Sequence, residues 1–172
     1  KAIIRILKKY KDWKSIVIGD EPREKYNFKH NRLFHLGWIT HDETMNIYKK
    51  SSISVVPSHW EEPFGRTSLE AASRGCATIL SRRGGLPETI PYGIYLNRIN
   101  QNEIFKKIKL LITNEKLRKD LQKKSLTNVF HEINKNTQIL DNLRNEVINE
   151  KKIFINKNLS NLKILNISNF GN

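Results

Sequence analysis

The stretch from Pro57 to Gly75 reads PSHWEEPFGRTSLEAASRG, and it concentrates the residues with chemical potential. An apolar run ends at Pro57, a loop of about seven residues follows, and a helix is expected to begin near Gly65. Beyond the carboxyl end of a parallel strand, such a helix start turns unpaired N–H groups toward a ligand. The helix dipole adds partial positive charge there. Gly65 lets an anion approach the backbone closely, and the amides of Arg66 and Thr67 are candidate pyrophosphate contacts. Thr67 and Ser68 add hydroxyl donors. Two carboxylates bracket this anion site: Glu62 in the loop, and Glu70 roughly 6–7 Å past the helix start. A carboxylate repels phosphate but accepts hydrogen bonds from sugar hydroxyls. An anion cradle flanked by two hydroxyl acceptors suits a nucleotide sugar.

These residues need a scaffold, and the chain alternates short apolar strands with amphipathic helices. Helices are expected over Ala2–Lys9, His41–Lys50 and Arg66–Arg74, and strands over Ser15–Ile18, Arg32–Leu36, Ile53–Val56, Ala77–Leu80 and Tyr92–Leu96. Thr40 followed by Glu43 forms a capping box ahead of the second helix. Gly75 stands where a left-handed residue would end the third. Further on, Ile104, Phe105, Ile108, Leu111 and Ile112 share one helical face. A separate helix is expected over Glu115–Val129, and another carries Ile139, Leu140, Leu143, Val147 and Ile148. The pattern predicts an α/β domain over residues 1–150, with a Rossmann-like parallel sheet and flanking helices. The tail, 151–172, is polar and Asn-rich, suited to a mobile end or an added edge strand. The chain opens on a crossover helix with no strand before it. A first strand is therefore expected to be missing, as in a piece cut from a longer protein.

Composition narrows the class. The net charge is +14 over 172 residues, with a single cysteine, Cys76. The basic residues are spread along a Lys/Asn/Ile-rich chain without interleaved aromatics or a nucleic-acid-binding signature, so nucleic acid is not the expected partner. One cysteine forbids an internal disulfide, fits a reducing compartment, and rules out a zinc site built on several thiolates. His30, His35, His41 and His131 lack metal-ligand spacing and are read as structural. His59 is a loop histidine. Trp13 and Trp60 are read as packing residues. Trp38 is read either as stacking on a base or as packing under its loop, and Arg82 and Arg83 either as phosphate partners or as a solvated pair.

Glu62-Pro63-Phe64-Gly65 followed by Glu70-Ala71 resembles the motif of retaining glycosyltransferases of the GT-B fold, especially glycosyltransferase family 4 (glycosyl transferases group 1). Ile18-Gly19-Asp20, Leu36-Gly37, Val56-Pro57-Ser58 and Gly84-Gly85-Leu86-Pro87-Glu88 extend the resemblance over about Ala2 to Val147. It implies the C-terminal, donor-binding half of that fold. By the same resemblance Glu70 holds the nucleotide ribose, and Glu62 faces the transferred sugar as the catalytic carboxylate. Phe64, Gly65, Arg66 and Thr67 contact sugar and phosphate. The main chain of Gly37 and Ile39 meets the base, and Gly84 and Gly85 line the same crevice.

The resemblance further implies a UDP-, GDP- or ADP-linked sugar as donor, no cofactor, and no metal ion. It implies an N-terminal acceptor domain, and a Gly-Arg loop and Lys, that would all precede Lys1. Without them the chain is expected to bind donor weakly and not to catalyse transfer alone. Polysaccharide or glycolipid assembly in the cytoplasm, at the inner membrane face, is the implied setting. A glycoside hydrolase with Glu62 and Glu70 as acid and base, a basic nucleic-acid-binding module, and a non-catalytic nucleotide-sugar-binding domain are the alternatives.

Overall fold

The structure is a computed structural model that describes residues 1–19 and 29–158, with the side chains of 130–133 and 151–158 excepted. Asp20 and the tail residues 159–172 lie outside the described residues. The chain divides into two compact units, Lys1–His131 and Glu132–Asn172. No helix among the described residues is long and apolar enough to cross a membrane.

In the first unit the order is α1 (Ala2–Lys9), β1 (Ser15–Val17), β2 (Leu33–His35), α2 (His41–Lys49), β3 (Ile53–Val56), α3 (Arg66–Ser73), β4 (Ala77–Ser81), α4 (Leu86–Thr89), β5 (Ile94–Leu96) and α5 (Gln101–Thr113). A final helix, α6, begins at Glu115 and runs to Asn158. The strands form two parallel sheets, β1–β2 and β3–β4–β5. In the first, Ser15 pairs with Leu33. In the second, Ile53 pairs with Ala77 and Ile79 with Ile94.

Strand β4 is the spine of the second sheet, with all five residues buried. Its side chains alternate between faces. Ala77 and Ile79 enter a cluster with Ile6, Leu96, Ile108, Leu111 and Leu121. Leu80 enters another with Val56, Ala72, Leu86, Ile90 and Val129. A strand covered on both faces explains its nearly continuous apolar sequence. Each large aliphatic side chain sealed this way contributes about 1.5–3 kcal/mol relative to exposure.

Local signals account for the helix ends. The Thr40 side chain accepts from the Glu43 amide while Glu43 reaches back to the Thr40 amide, completing the capping box. Gly75 ends α3 with φ +83, the left-handed conformation. At α1 the cap comes from afar: the Arg32 guanidinium donates to the carbonyls of Tyr10 and Trp13, both at 2.9 Å, and of Leu7 and Lys11. A cation on the last carbonyls of a helix offsets its dipole. This bond set also fixes the turn that leads into β1.

Two expectations change. Glu115–Val129 and the segment carrying Ile139–Ile148 belong to one helix, α6, which takes in 151–158 of the predicted tail. No glycine or proline lies between Glu115 and Asn158 to interrupt it. In the second unit Ile139, Leu140, Leu143, Val147 and Ile148 are all exposed. The Gly84–Glu88 loop also folds its second half into the short helix α4, with Pro87 in its first turn.

Cys76 is fully buried where β4 begins. Its thiol donates to the carbonyls of Tyr48 and Ser51, each at 3.3 Å. The buried Ser125 hydroxyl donates to the Cys76 carbonyl at 3.0 Å. Burial pushes the Cys76 thiol up to about 12. The folded chain should therefore react with an aromatic disulfide reagent near neutral pH on the order of 1,000-fold more slowly than the denatured chain. Stopped-flow thiol titration in buffer and in denaturant measures the ratio.

Candidate functional site

The site is built where β3 gives way to α3. Gly65 is the residue before the helix and has φ +87. A side chain there would be strained by that conformation and would meet the Leu86 side chain at 2.5 Å. The Gly65 carbonyl accepts from the amides of Ser68 and Leu69, at 3.1 and 3.2 Å. Helical bonding starts there, so the amides of Arg66 and Thr67 lie ahead of it at the positive end of the helix. The residues Arg66 and Thr67 are exposed, whereas Ser68 is buried. The Ser68 hydroxyl donates to the Gly65 carbonyl at 2.6 Å. It therefore offers no donor to a ligand, contrary to expectation; its work is to close the first turn.

The two carboxylates are each held by donors. Glu62 Oε1 accepts from the Ser58 hydroxyl at 2.7 Å and from Trp60 Nε1 at 3.0 Å. Trp60 is 62% exposed, so it is a carboxylate partner rather than the packing residue the sequence implied. Glu70, one turn into α3, lies 3.3 Å from Arg66 Nη2 and 3.9 Å from His41 Nδ1. Its side chain is 23% exposed. Burial first, and the Glu70 charge second, push the Tyr48 phenol up to about 12. Tyr48 thus stays a neutral hydroxyl near this carboxylate.

The second loop docks on the first, backbone against backbone. The Gly85 amide donates to the Glu62 carbonyl at 2.7 Å. A Cβ on Gly84 would lie 2.1 Å from the Glu62 carbonyl oxygen, and one on Gly85 would lie 2.6 Å from that of Pro63. Glu61 clamps the pair from outside, its carboxylate accepting from Arg83 Nη1 at 2.8 Å and from the Gly84 amide at 2.5 Å. The Thr89 hydroxyl donates to the Gly85 carbonyl at 2.9 Å and also to that of Phe64. Phe64 is 54% exposed. Arg83 is thereby committed to Glu61, while Arg82 lies over the Tyr95 ring at 4.5 Å.

Gly37 follows β2 with φ +60. Its carbonyl accepts from the Gly19 amide at 2.8 Å. The segment Gly37–Ile39 leads into α2, and its link to the site runs through His41 beside Glu70. Trp38 is 82% exposed and does not pack under the loop. The structure therefore joins Glu62, Phe64, Gly65, Gly84 and Gly85 through direct contacts. Arg66 follows Gly65 directly and reaches Glu70 one turn further on, and the Gly37–Ile39 segment links to them through His41. Sequence reasoning missed Glu61 and Thr89, quoted Ser58 only as part of the resemblance, and read His41 as structural, whereas it lies 3.9 Å from Glu70. Only His41 had a usable signal, as the first helical residue after a capping box.

Two outcomes follow. Gly84→Ala places its Cβ against backbone that cannot yield, in a left-handed conformation. It should lower Tm by roughly 4–10 °C in calorimetry, and an unchanged Tm would mean that the two loops are not docked. The bonds from Arg83 and the Gly84 amide hold Glu61 below its ordinary value of 4.5. The clamp is thus complete above that value and is lost as pH falls through the lowered one. The Gly84 amide resonance should shift with a midpoint below 4.5, as NMR titration can follow, and a midpoint at or above 4.5 would mean that the clamp does not hold Glu61.

The profile of the family described as glycosyl transferases group 1 matches residues 1–127. The phosphatidylinositol N-acetylglucosaminyltransferase gpi3 subunit of Schizosaccharomyces pombe is 30% identical over 140 residues, which cover 76% of this chain and 29% of that protein. The chain thus spans less than a third of that relative's length. The C-terminal domain of a glycosyl transferase group 1 family protein (LpcC) from Francisella tularensis matches with a TM-score of 0.67 at 30% identity, over 77% of this chain and 75% of that one. Anabaena Alr3699/HepE, solved with UDP-glucose, has the same fold, with a TM-score of 0.58 at 20% identity over 67% of this chain and 33% of that one. By its sequence over residues 1–127 and by its parallel α/β architecture, the chain belongs to the glycosyl transferases group 1 family, with the fold of a C-terminal GT-B domain.

Proposed function

We propose that this domain binds a nucleoside diphosphate sugar and, within its full-length protein, serves transfer of the sugar to an acceptor hydroxyl with retained anomeric configuration. The observation that carries the reading is the pair of donor-held carboxylates, Glu62 and Glu70, on either side of the exposed start of α3. The amides of Arg66 and Thr67 would meet the diphosphate. Glu70 would accept from the ribose hydroxyls, and Glu62 would face the sugar. Ser58 and Trp60 hold Glu62 in one orientation. The transition state separates a positive sugar ring from a negative diphosphate. A pre-aligned carboxylate near one and helix amides near the other would stabilise that separation without reorganisation.

The reading includes a hexose donor and a diphosphate neutralised without a metal ion. It places the parent protein in polysaccharide or glycolipid assembly at the cytoplasmic membrane face, where a net charge of +14 favours anionic lipid headgroups. Anabaena HepE, which shares the fold, was solved with UDP-glucose, and this supports the donor class. Calorimetric titration of the chain with UDP-, GDP- and ADP-sugars selects the base. In the intact protein Glu70→Ala should weaken donor binding about 10- to 100-fold, the effect of removing a hydrogen bond to a charged group. Glu62→Ala should lower kcat with little change in donor KM. Wild-type kinetics in both variants would defeat the proposal.

A further inference from the structure

Trp60 stands two residues before Glu62 in the loop after β3. Its indole Nε1–H donates to Glu62 Oε1 at 3.0 Å, beside the bond from the Ser58 hydroxyl to the same oxygen. One edge of the ring is therefore pinned at the carboxylate. The residue as a whole is 62% exposed and enters neither core cluster. Among the described residues no cation lies over its ring, whereas Arg118 covers the Trp13 ring at 5.3 Å. Trp60 is thus a large aromatic surface held in place by a hydrogen bond at its edge and left open to solvent.

The place of Trp60 selects its partner. In the reading proposed above, the nucleoside end of the donor lies with Glu70, to which His41 links the Gly37–Ile39 segment. Trp60 is bonded to the other carboxylate, the one assigned to the sugar. A pyranose has an apolar face of C–H groups and a rim of hydroxyls. An aromatic plate covers the first, and a carboxylate at the edge of the plate accepts from the second. An alkyl chain laid there would desolvate the carboxylate without offering it a donor, and a phosphate would be repelled by it.

We infer that Trp60 is a sugar-recognition residue: its indole face takes the C–H face of the pyranose carried by the donor, while its N–H aims Glu62 at the hydroxyls of the same ring. The inference rests on the donor reading and adds to it the group that tells a nucleotide sugar from the bare nucleotide. Affinity for the sugar, and not for the nucleotide, then runs through this side chain.

The test uses the full chain and paired probes: UDP with UDP-glucose, GDP with GDP-mannose, and ADP with ADP-glucose. NMR reads the backbone amides of Arg66 and Thr67, which report the diphosphate, and the ring signals of Trp60, with those of Trp13 as reference. For the pair whose base is accepted, the nucleotide alone should move the two amides and leave the Trp60 signals in place. The nucleotide sugar should move both. The same titrations give the factor by which the nucleotide sugar binds more tightly than the nucleotide. Trp60→Leu should lower that factor about 3- to 10-fold. Trp60→Phe keeps an aromatic face and loses the N–H, and it should retain most of the factor. An equal fall in the two variants overturns the proposal, because the side chain would then act only through Glu62. So do Trp60 signals that respond alike to nucleotide and nucleotide sugar. If the Arg66 and Thr67 amides move with none of the probes, the donor reading itself fails, and this inference with it.

Discussion

The close approach of two backbone segments, Glu61–Phe64 and Arg83–Leu86, is the constraint on which the site depends. They meet through the Gly85 amide and the Glu62 carbonyl at a separation that leaves no room for a Cβ on Gly84 or Gly85. Leu86 extends the same contact downward, since its buried side chain lies where any substituent on Gly65 would go. The start of α3, the loop carrying Glu62 and the loop after β4 are therefore one packed unit. The position of Glu62 relative to the helix amides is set by main chain, which has fewer soft degrees of freedom than side chains. Adjacent glutamates divide the labour: Glu61 holds the loops together, and Glu62 is held by Ser58 and Trp60.

Beneath this unit the sheet provides the rigid part. Strand β4, buried on both faces, delivers Arg82–Gly85 at one end and receives the Ser125 hydroxyl at the other. Arg32 plays a comparable role for the first sheet by tying the carbonyls at the end of α1 to β2. Functional loops thus hang from elements whose own bonds are satisfied.

Much of the architecture was legible in local signals. The Thr40–Glu43 capping box, the Gly75 helix stop and the β-branched run of β3 each fix a boundary without help from distant residues. The spacing of Glu62, Gly65 and Glu70 placed both carboxylates around the helix start. What stayed hidden depends on contacts across long sequence separations. Glu61 reaches Arg83 over 22 residues, and Thr89 reaches Phe64 over 25. Nothing in a one-dimensional pattern marks these partners. Ser68 and Trp60 misled for a related reason: residue type gives the capacity of a side chain, and burial decides its use. The continuity of α6 was missed, although no glycine or proline interrupts Glu115–Asn158.

The two glycines after β4 also bear on how a loop of this kind can vary. At Gly84 and Gly85 any side chain displaces the Glu62–Pro63 backbone, so neither position is open to substitution without moving a candidate catalytic carboxylate. Chemical diversity in the loop is then confined to its flanks, to Arg82 and Arg83 on one side and to Pro87 and Glu88 on the other. A domain built this way can change what it recognises at the rim while the distance between its two loops stays fixed. Divergence in ligand preference should accumulate beside the contact and not within it.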